Sequence, residues 1–192
     1  QLTLNAAALD NNGSHLYAQD TLTLRSNGAI TNRNGRLQTR SNLDLSAAGA
    51  LDNWSGSIEA KGTFNLSAAS LDNSFGRIAN TGTAASTLNA AVINNAGGTL
   101  GSNGDLTLNA GTLLNTQQAL IFSGNTLTLN AANQLSNNQS KIYAFGNLNF
   151  NRAAANFDNT AGDISSSGSS YFNVGSVHNQ SGSVTSGTDI TL

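Results

Sequence analysis

One spacing governs this chain: an apolar residue two positions ahead of an asparagine returns every 20 to 22 residues. It falls at Leu9, Ile30, Leu51, Leu71, Ile93, Leu113, Leu135, Phe157 and Val177. Residues 51–70 show one whole unit, from Leu51-Asp52-Asn53 through Gly56, Ile58 and Ala60 to Phe64, Leu66 and Ala68. Its successor opens at Leu71-Asp72-Asn73, and a leading piece with Leu2 and Leu4 precedes the first of the nine units. A period of this length points to a solenoid before any other fold.

Inside a unit the short-range period is two. Ile58 and Ala60 alternate with Glu59 and Lys61, and Phe64, Leu66 and Ala68 alternate with Asn65 and Ser67. That pattern marks half-buried strands, and the i, i+3, i+4 spacing of a helix is missing. One inward column reads Leu16, Leu37, Ile58, Ile78, Leu100, Leu120, Ile142, Ile164, Val184. The other large column reads Leu24, Leu45, Leu66, Leu88, Leu108, Leu129, Phe150, Val174, Leu192. The expectation is an all-β parallel β-helix with three short strands per coil, occupying residues 1–192 as a single repeat domain. Stacked at about 4.8 Å per coil, nine coils give a rod of about 43 Å. Leucine-rich repeats share the period, but they place a helix or turn where this chain has a second L-x-L strand. A hexapeptide β-helix would need a six-residue period, which is not seen.

The repeated polar residues have stacking roles. Asn11, Asn32, Asn53, Asn73, Asn95, Asn115, Asn137, Asn159 and Asn179 hold one position in all nine coils, where side-chain amides can form a ladder. Asparagine also tolerates the left-handed conformation expected at such a corner. Three residues later come Gly35, Gly56, Gly76, Gly98, Gly162 and Gly182, read as suppliers of positive φ. Small residues (Ala18, Thr39, Ala60, Ser102, Ala144, Ser166, Ser186) leave room for larger ones opposite. Proline is absent, which fits coils whose N–H groups all pair with neighbours. Three irregularities stand out: two extra residues between Asn80 and Leu88, with Ala84 and Ser86 where a large inward residue is expected; Gln118 in a glycine position, with an added residue before Leu127; and a Ser-Gly-Ser run before Tyr171 and Phe172.

Composition then limits the chemistry. Charged residues make up 9% of the chain against 29 asparagines, and the net charge of −2 leaves no basic footprint for nucleic acid. No apolar run reaches the length of a membrane-spanning helix, so no membrane insertion is expected. With no cysteine, disulfides and thiolate metal sites are excluded. His15 and His178 lie in the first and last coils, about 38 Å apart, too far to share a metal or a proton. No phosphate loop, calcium loop or nucleophile elbow is present. The reading is therefore no enzyme, no cofactor and no metal. Arg40, Glu59 and Lys61 are expected close together on adjacent coils, an acid/base cluster on paper and equally a solvated ion-pair network. A glycosidase would need a second carboxylate, and the sequence gives no row of exposed aromatics to hold sugars. Threonines in L-T-L (Thr3, Thr23, Thr107, Thr128, Thr191) are interrupted by Asp44, Asn65, Asn149 and Asn173, so no ice-binding array forms. The candidate binding patch is Trp54 and Phe75 in neighbouring turns, with Arg33, Arg36 and Arg77 nearby; packing over the solenoid edge is the alternative.

The L-D-N, glycine and L-x-L-x-A pattern resembles the filamentous-haemagglutinin repeats of large secreted bacterial exoproteins, and it does so along essentially the whole chain. That family includes haemagglutinin adhesins and contact-dependent growth-inhibition exoproteins of the CdiA type. The resemblance implies a right-handed helix, export through an outer-membrane two-partner-secretion transporter, and display on the surface of a Gram-negative cell. It implies too that the repeats form a shaft, with receptor binding or a toxin elsewhere, although a cell-surface receptor for the lateral face stays open. The chain starts in a strand at Leu2-Thr3-Leu4 and stops at Ile190-Thr191-Leu192, so the expectation is a piece of a longer array whose uncapped ends could associate end to end.

Overall fold

Alternating inward and outward side chains commit each half-coil to an extended strand, and a computed structural model describes the result for residues 1–192. There are 21 strands and no helix. They form two parallel sheets, one of nine strands and one of twelve, that wind as a β-solenoid of nine coils. Each coil contributes one four-residue strand to the smaller sheet, such as Ser57–Ala60, and its L-x-L segment to the larger. The third strand stands alone only early on, at Leu9–Asp10 and Ile30–Thr31. From Leu43–Asp52 onward it continues out of the L-x-L strand, with a register shift between Ala47 and Ala50. That bulge is where coils of different length are brought back into step; it recurs between Ala110 and Thr112, and between Arg152 and Asn156.

Thirty-five buried apolar side chains form one cluster running from Ala18 to Phe172. The coils therefore share a single core and do not pack as separate units. Two column assignments change. Ile121, not Leu120, pairs with Leu100 and Ile142 and is fully buried. The added residue of that coil sits in the turn, where Gln117 and Gln118 both have positive φ, and not before Leu127. A one-residue shift there reverses which side chains face inward, so Leu120 turns out. Phe172, not Val174, pairs with Phe150; Val174 pairs with the exposed Arg152. The coil's length difference is absorbed after Phe150, in the bulge, so the rung of Phe172 is unaffected.

Volume is balanced between columns. Ser86 pairs with Phe64 on one side and Leu106 on the other, a place for a large residue. The space is taken by a polar knot: Asn80 Nδ2 donates to the Gly62 and Ala84 carbonyls at 2.8 Å and to Ser86 Oγ at 3.0 Å, and Ser86 donates to Ser102. Near the other end, Ser166 and Ser170 bond at 2.8 Å while three phenylalanines fill the adjoining space. Phe157 meets Phe150 edge-on at 5.8 Å and stacks on Phe172 at 5.7 Å. No buried side-chain nitrogen or oxygen lacks a hydrogen bond, which is what a polar core requires.

Candidate functional site

The turn edge sets the frame for every exposed residue. Each asparagine from Asn11 to Asn159 donates Nδ2–H to Oδ1 of the next, at 2.7 to 2.8 Å, so eight bonds join all nine. The remaining Nδ2 proton is directed at carbonyls of its own turn and of the next coil. For Asn95 these are Gly98 O and Leu120 O, both at 3.2 Å. Direction matters here: every amide donates toward the C-terminal end and accepts from the N-terminal end.

The positive φ of the turn is not at the ladder asparagine, nor at the glycine three residues later. It lies at the second of the two residues between them: Gly13, Asn34, Ser55, Phe75, Gly97, Gln139, Ala161 and Ser181. The glycine is needed for room. A Cβ on Gly56 would overlap the Asn32 carbonyl oxygen and come within 2.6 Å of Asn53 Oδ1. Ser14, Ala119 and Ser140 occupy the same place in the other three coils, and the turn hydrogen bond is 3.1 Å at Ser14 and 3.4 Å at Ser140. The aspartates of L-D-N brace the turn from outside: Asp52 Oδ1 accepts the Trp54 N–H at 3.1 Å, and Asp72 Oδ1 accepts that of Ser74 at 3.0 Å.

On this edge Trp54 and Phe75 meet edge-to-face at 6.4 Å, 39% and 58% exposed. Phe75 takes a left-handed backbone with φ 56°, an unfavourable place for a bulky residue, and its ring covers Gly97. The arginines are engaged by carboxylates. Arg33 Nε bonds Asp52 Oδ2 at 2.6 Å, while Arg36 and Arg77 clamp Glu59 from either side at 3.1 Å. The Arg40–Glu59–Lys61 cluster does not form. Glu59 sits one coil from both Arg36 and Arg77, and their guanidinium groups take its two oxygens. A carboxylate held in this way is an ion-pair centre.

The outer face of the smaller sheet carries a second feature. Its mid-strand column runs Tyr17, Gln38, Glu59, Ala79, Gly101, Phe122, Tyr143, Ser165, Thr185. Phe122 and Tyr143 are therefore register neighbours, with Leu120 beside them and Phe145, 66% exposed, at the adjoining corner. The sequence reading finds no row of exposed aromatics; here Phe122 and Tyr143 are half-buried and Phe145 is exposed. Placing Leu120 inward puts Phe122 inward as well and hides it; the signal that finds it is the extra turn residue. In the larger sheet, Thr87 pairs with Thr107 and Thr107 with Thr128, giving three threonine rungs in succession.

His15 lies 6.2 Å from Tyr17, and His178 pairs in register with Asp158 at the far end. No three His, Cys, Asp or Glu side chains converge as metal ligands. The largest concavity, about 530 Å³, is an open groove along the bulge corner lined by alanines, asparagines such as Asn89, Asn109 and Asn130, and Arg152. Asn130 donates to Asn109 and Asn109 to Asn89, each at 2.7 Å, so these amides are occupied with one another.

Neither the curated proteins nor the solved structures contain a match to this chain. The family profile described as "Haemagglutinin repeat" matches residues 1–53, 55–87, 83–139 and 144–192. Nine coils that share one ladder and one core, matched along nearly their whole length, place the chain in the haemagglutinin repeat family.

Proposed function

We propose that residues 1–192 form part of the shaft of a secreted or cell-surface adhesin-like exoprotein. The observation that carries this reading is the unbroken stack: one core and one amide ladder join every coil, and no enclosed pocket interrupts them. A rod built by nearest-neighbour stacking transmits length and stiffness and asks little of its surface. Membership of the haemagglutinin repeat family supports the same role. In our reading, export uses an outer-membrane two-partner transporter of a Gram-negative cell. The shaft then holds a distal receptor-binding or toxin module for adhesion or contact-dependent growth inhibition. A second reading, direct contact by the lateral edge, is favoured by one observation: Trp54 and Phe75 stay exposed despite meeting each other.

Deleting residues 51–92 from the parent exoprotein separates the two. The cut removes two coils, joins Ala50 to Ile93 in register, and shortens the rod by about 10 Å. A shaft keeps distal adhesion or growth inhibition of neighbouring cells after this deletion. Loss of that activity in a protein that is still folded and displayed overturns the shaft reading in favour of the Trp54 edge.

A further inference from the structure

From the aromatic row on the smaller sheet we infer a binding face for neutral oligosaccharides, centred on Phe122, Tyr143 and Phe145. The argument starts with how the rings lie. A Cβ on Gly101 would run into the Phe122 ring, so that ring covers the backbone of the preceding coil. Tyr143 reaches the other way, with its hydroxyl 3.2 Å from Ser167 Oγ in the following coil. Both rings are half-buried along the sheet, and Phe145 stands exposed at the corner. Phe122 and Tyr143 thus lean apart, over the coils on either side, and their reach spans four coils, about 14 Å of rod.

Charge and size select the ligand. The outward residues of these four strands are Thr99, Gly101, Leu120, Phe122, Lys141, Tyr143, Asp163 and Ser165. Lys141 and Asp163 are register partners of opposite sign, so the face has no net charge to draw an acidic glycan or a nucleic acid. The coils at the other end of the same sheet carry Arg36, Glu59 and Arg77 instead. Four apolar side chains also fall far short of the roughly 800 Å² per partner of a stable protein interface. What fits is a small neutral ligand with an apolar C–H face for the rings and hydroxyls for a polar rim. The rim is present: Thr99 and Ser165 hydroxyls flank the rings, and Asn147 uses its Oδ1 on the Ser169 N–H at 3.0 Å, leaving its NH₂ to donate outward.

The test is titration of the 192-residue chain, by chemical-shift perturbation and calorimetry, with neutral hexasaccharides of glucose (β-1,4 and α-1,4) and of N-acetylglucosamine. Hexagalacturonate and a heparin hexasaccharide serve as acidic controls. The expected result is saturable binding of at least one neutral hexasaccharide, insensitive to salt, with shifts confined to coils around Phe122 and Tyr143. Tyr143→Ala combined with Phe145→Ser weakens it about tenfold or more, with only a small fall in melting temperature because both side chains lie outside the apolar core. Phe122→Leu keeps Gly101 covered and serves as a second variant, with partial weakening expected. No binding of any neutral probe, equal binding by the variants, or salt-sensitive binding of the acidic probes alone would each overturn the inference. Self-association that disappears in the double variant would do the same, by showing that a second copy covers the rings.

Discussion

The turn edge and the outer face of the smaller sheet come from the same nine coils, yet one repeats and the other varies. On the edge, each amide is at once the donor to one coil and the acceptor from another, so a change in one coil leaves two neighbours unsatisfied. On the face, an outward side chain meets partners that differ from coil to coil. The same column can therefore hold Glu59 between two arginines in one coil and Phe122 over a glycine three coils later. Stacking fixes the residues whose partner is the same in every coil, and recognition can differ only where the partner varies.

The comparison is tested hardest at the ladder. Asn95→Ala removes the acceptor of Asn73 Nδ2 and the donor to Asn115 Oδ1, both fully buried. The expected cost is about 3 kcal/mol, a fall in melting temperature of about 6–12 °C. Asn179→Ala touches the same ladder at its exposed end, where only Asn159 bonds to its side chain, and the expected cost is below about 1 kcal/mol. Equal losses for the two variants, measured by thermal melts, would show that the ladder does not act through its neighbours.

Next in size is the glycine beside the ladder. Gly56→Ala forces a Cβ against the Asn32 carbonyl, although Ala119 and Ser140 show that other coils accommodate one at this place. About 2 kcal/mol is expected, measured by denaturant midpoint. Gly13→Ala is the control. Gly13 holds the positive φ itself and has nothing within 4 Å of a built Cβ, so only the cost of the left-handed backbone applies, about 1 kcal/mol. If Gly13 proves the costlier of the two, backbone conformation and not crowding governs the turn.

These cases show how far the sequence could be read. The period, the inward alternation and the ladder asparagines each depend on a residue's own side chain repeating, and all are visible as columns. The place of positive φ is not, because Asn34, Ser55, Phe75 and Ala161 share no side-chain character; only their turn position is common. The glycine was easy to see and its role was not, since crowding depends on the Asn carbonyl of the previous coil. Leu120 and Ile121 are indistinguishable by type, and the decision between them rests on where the coil's extra residue falls, which the left-handed Gln117 and Gln118 place in the turn. The partners of Glu59 were equally hidden. Reach across coils, and not spacing along one strand, gives its carboxylate to Arg36 and Arg77.

The smallest effect is expected on the outer face, at that same carboxylate. Glu59→Gln keeps the shape and removes the charge between Arg36 and Arg77. Glu59 is 20% exposed and both arginines are more than 40% exposed, so solvent screens the pair on at least one side. Surface ion pairs of this kind contribute at most about 1 kcal/mol. The variant leaves two guanidinium groups facing a neutral amide, and their mutual repulsion adds a part that salt removes. Melting curves at low and at molar salt should therefore converge, with the variant slightly less stable at low salt. A loss as large as that of Asn95→Ala, persisting at high salt, would mean that this face is bound between coils as tightly as the turn edge. The freedom we assign to outward positions, including those of Phe122 and Tyr143, would then be lost.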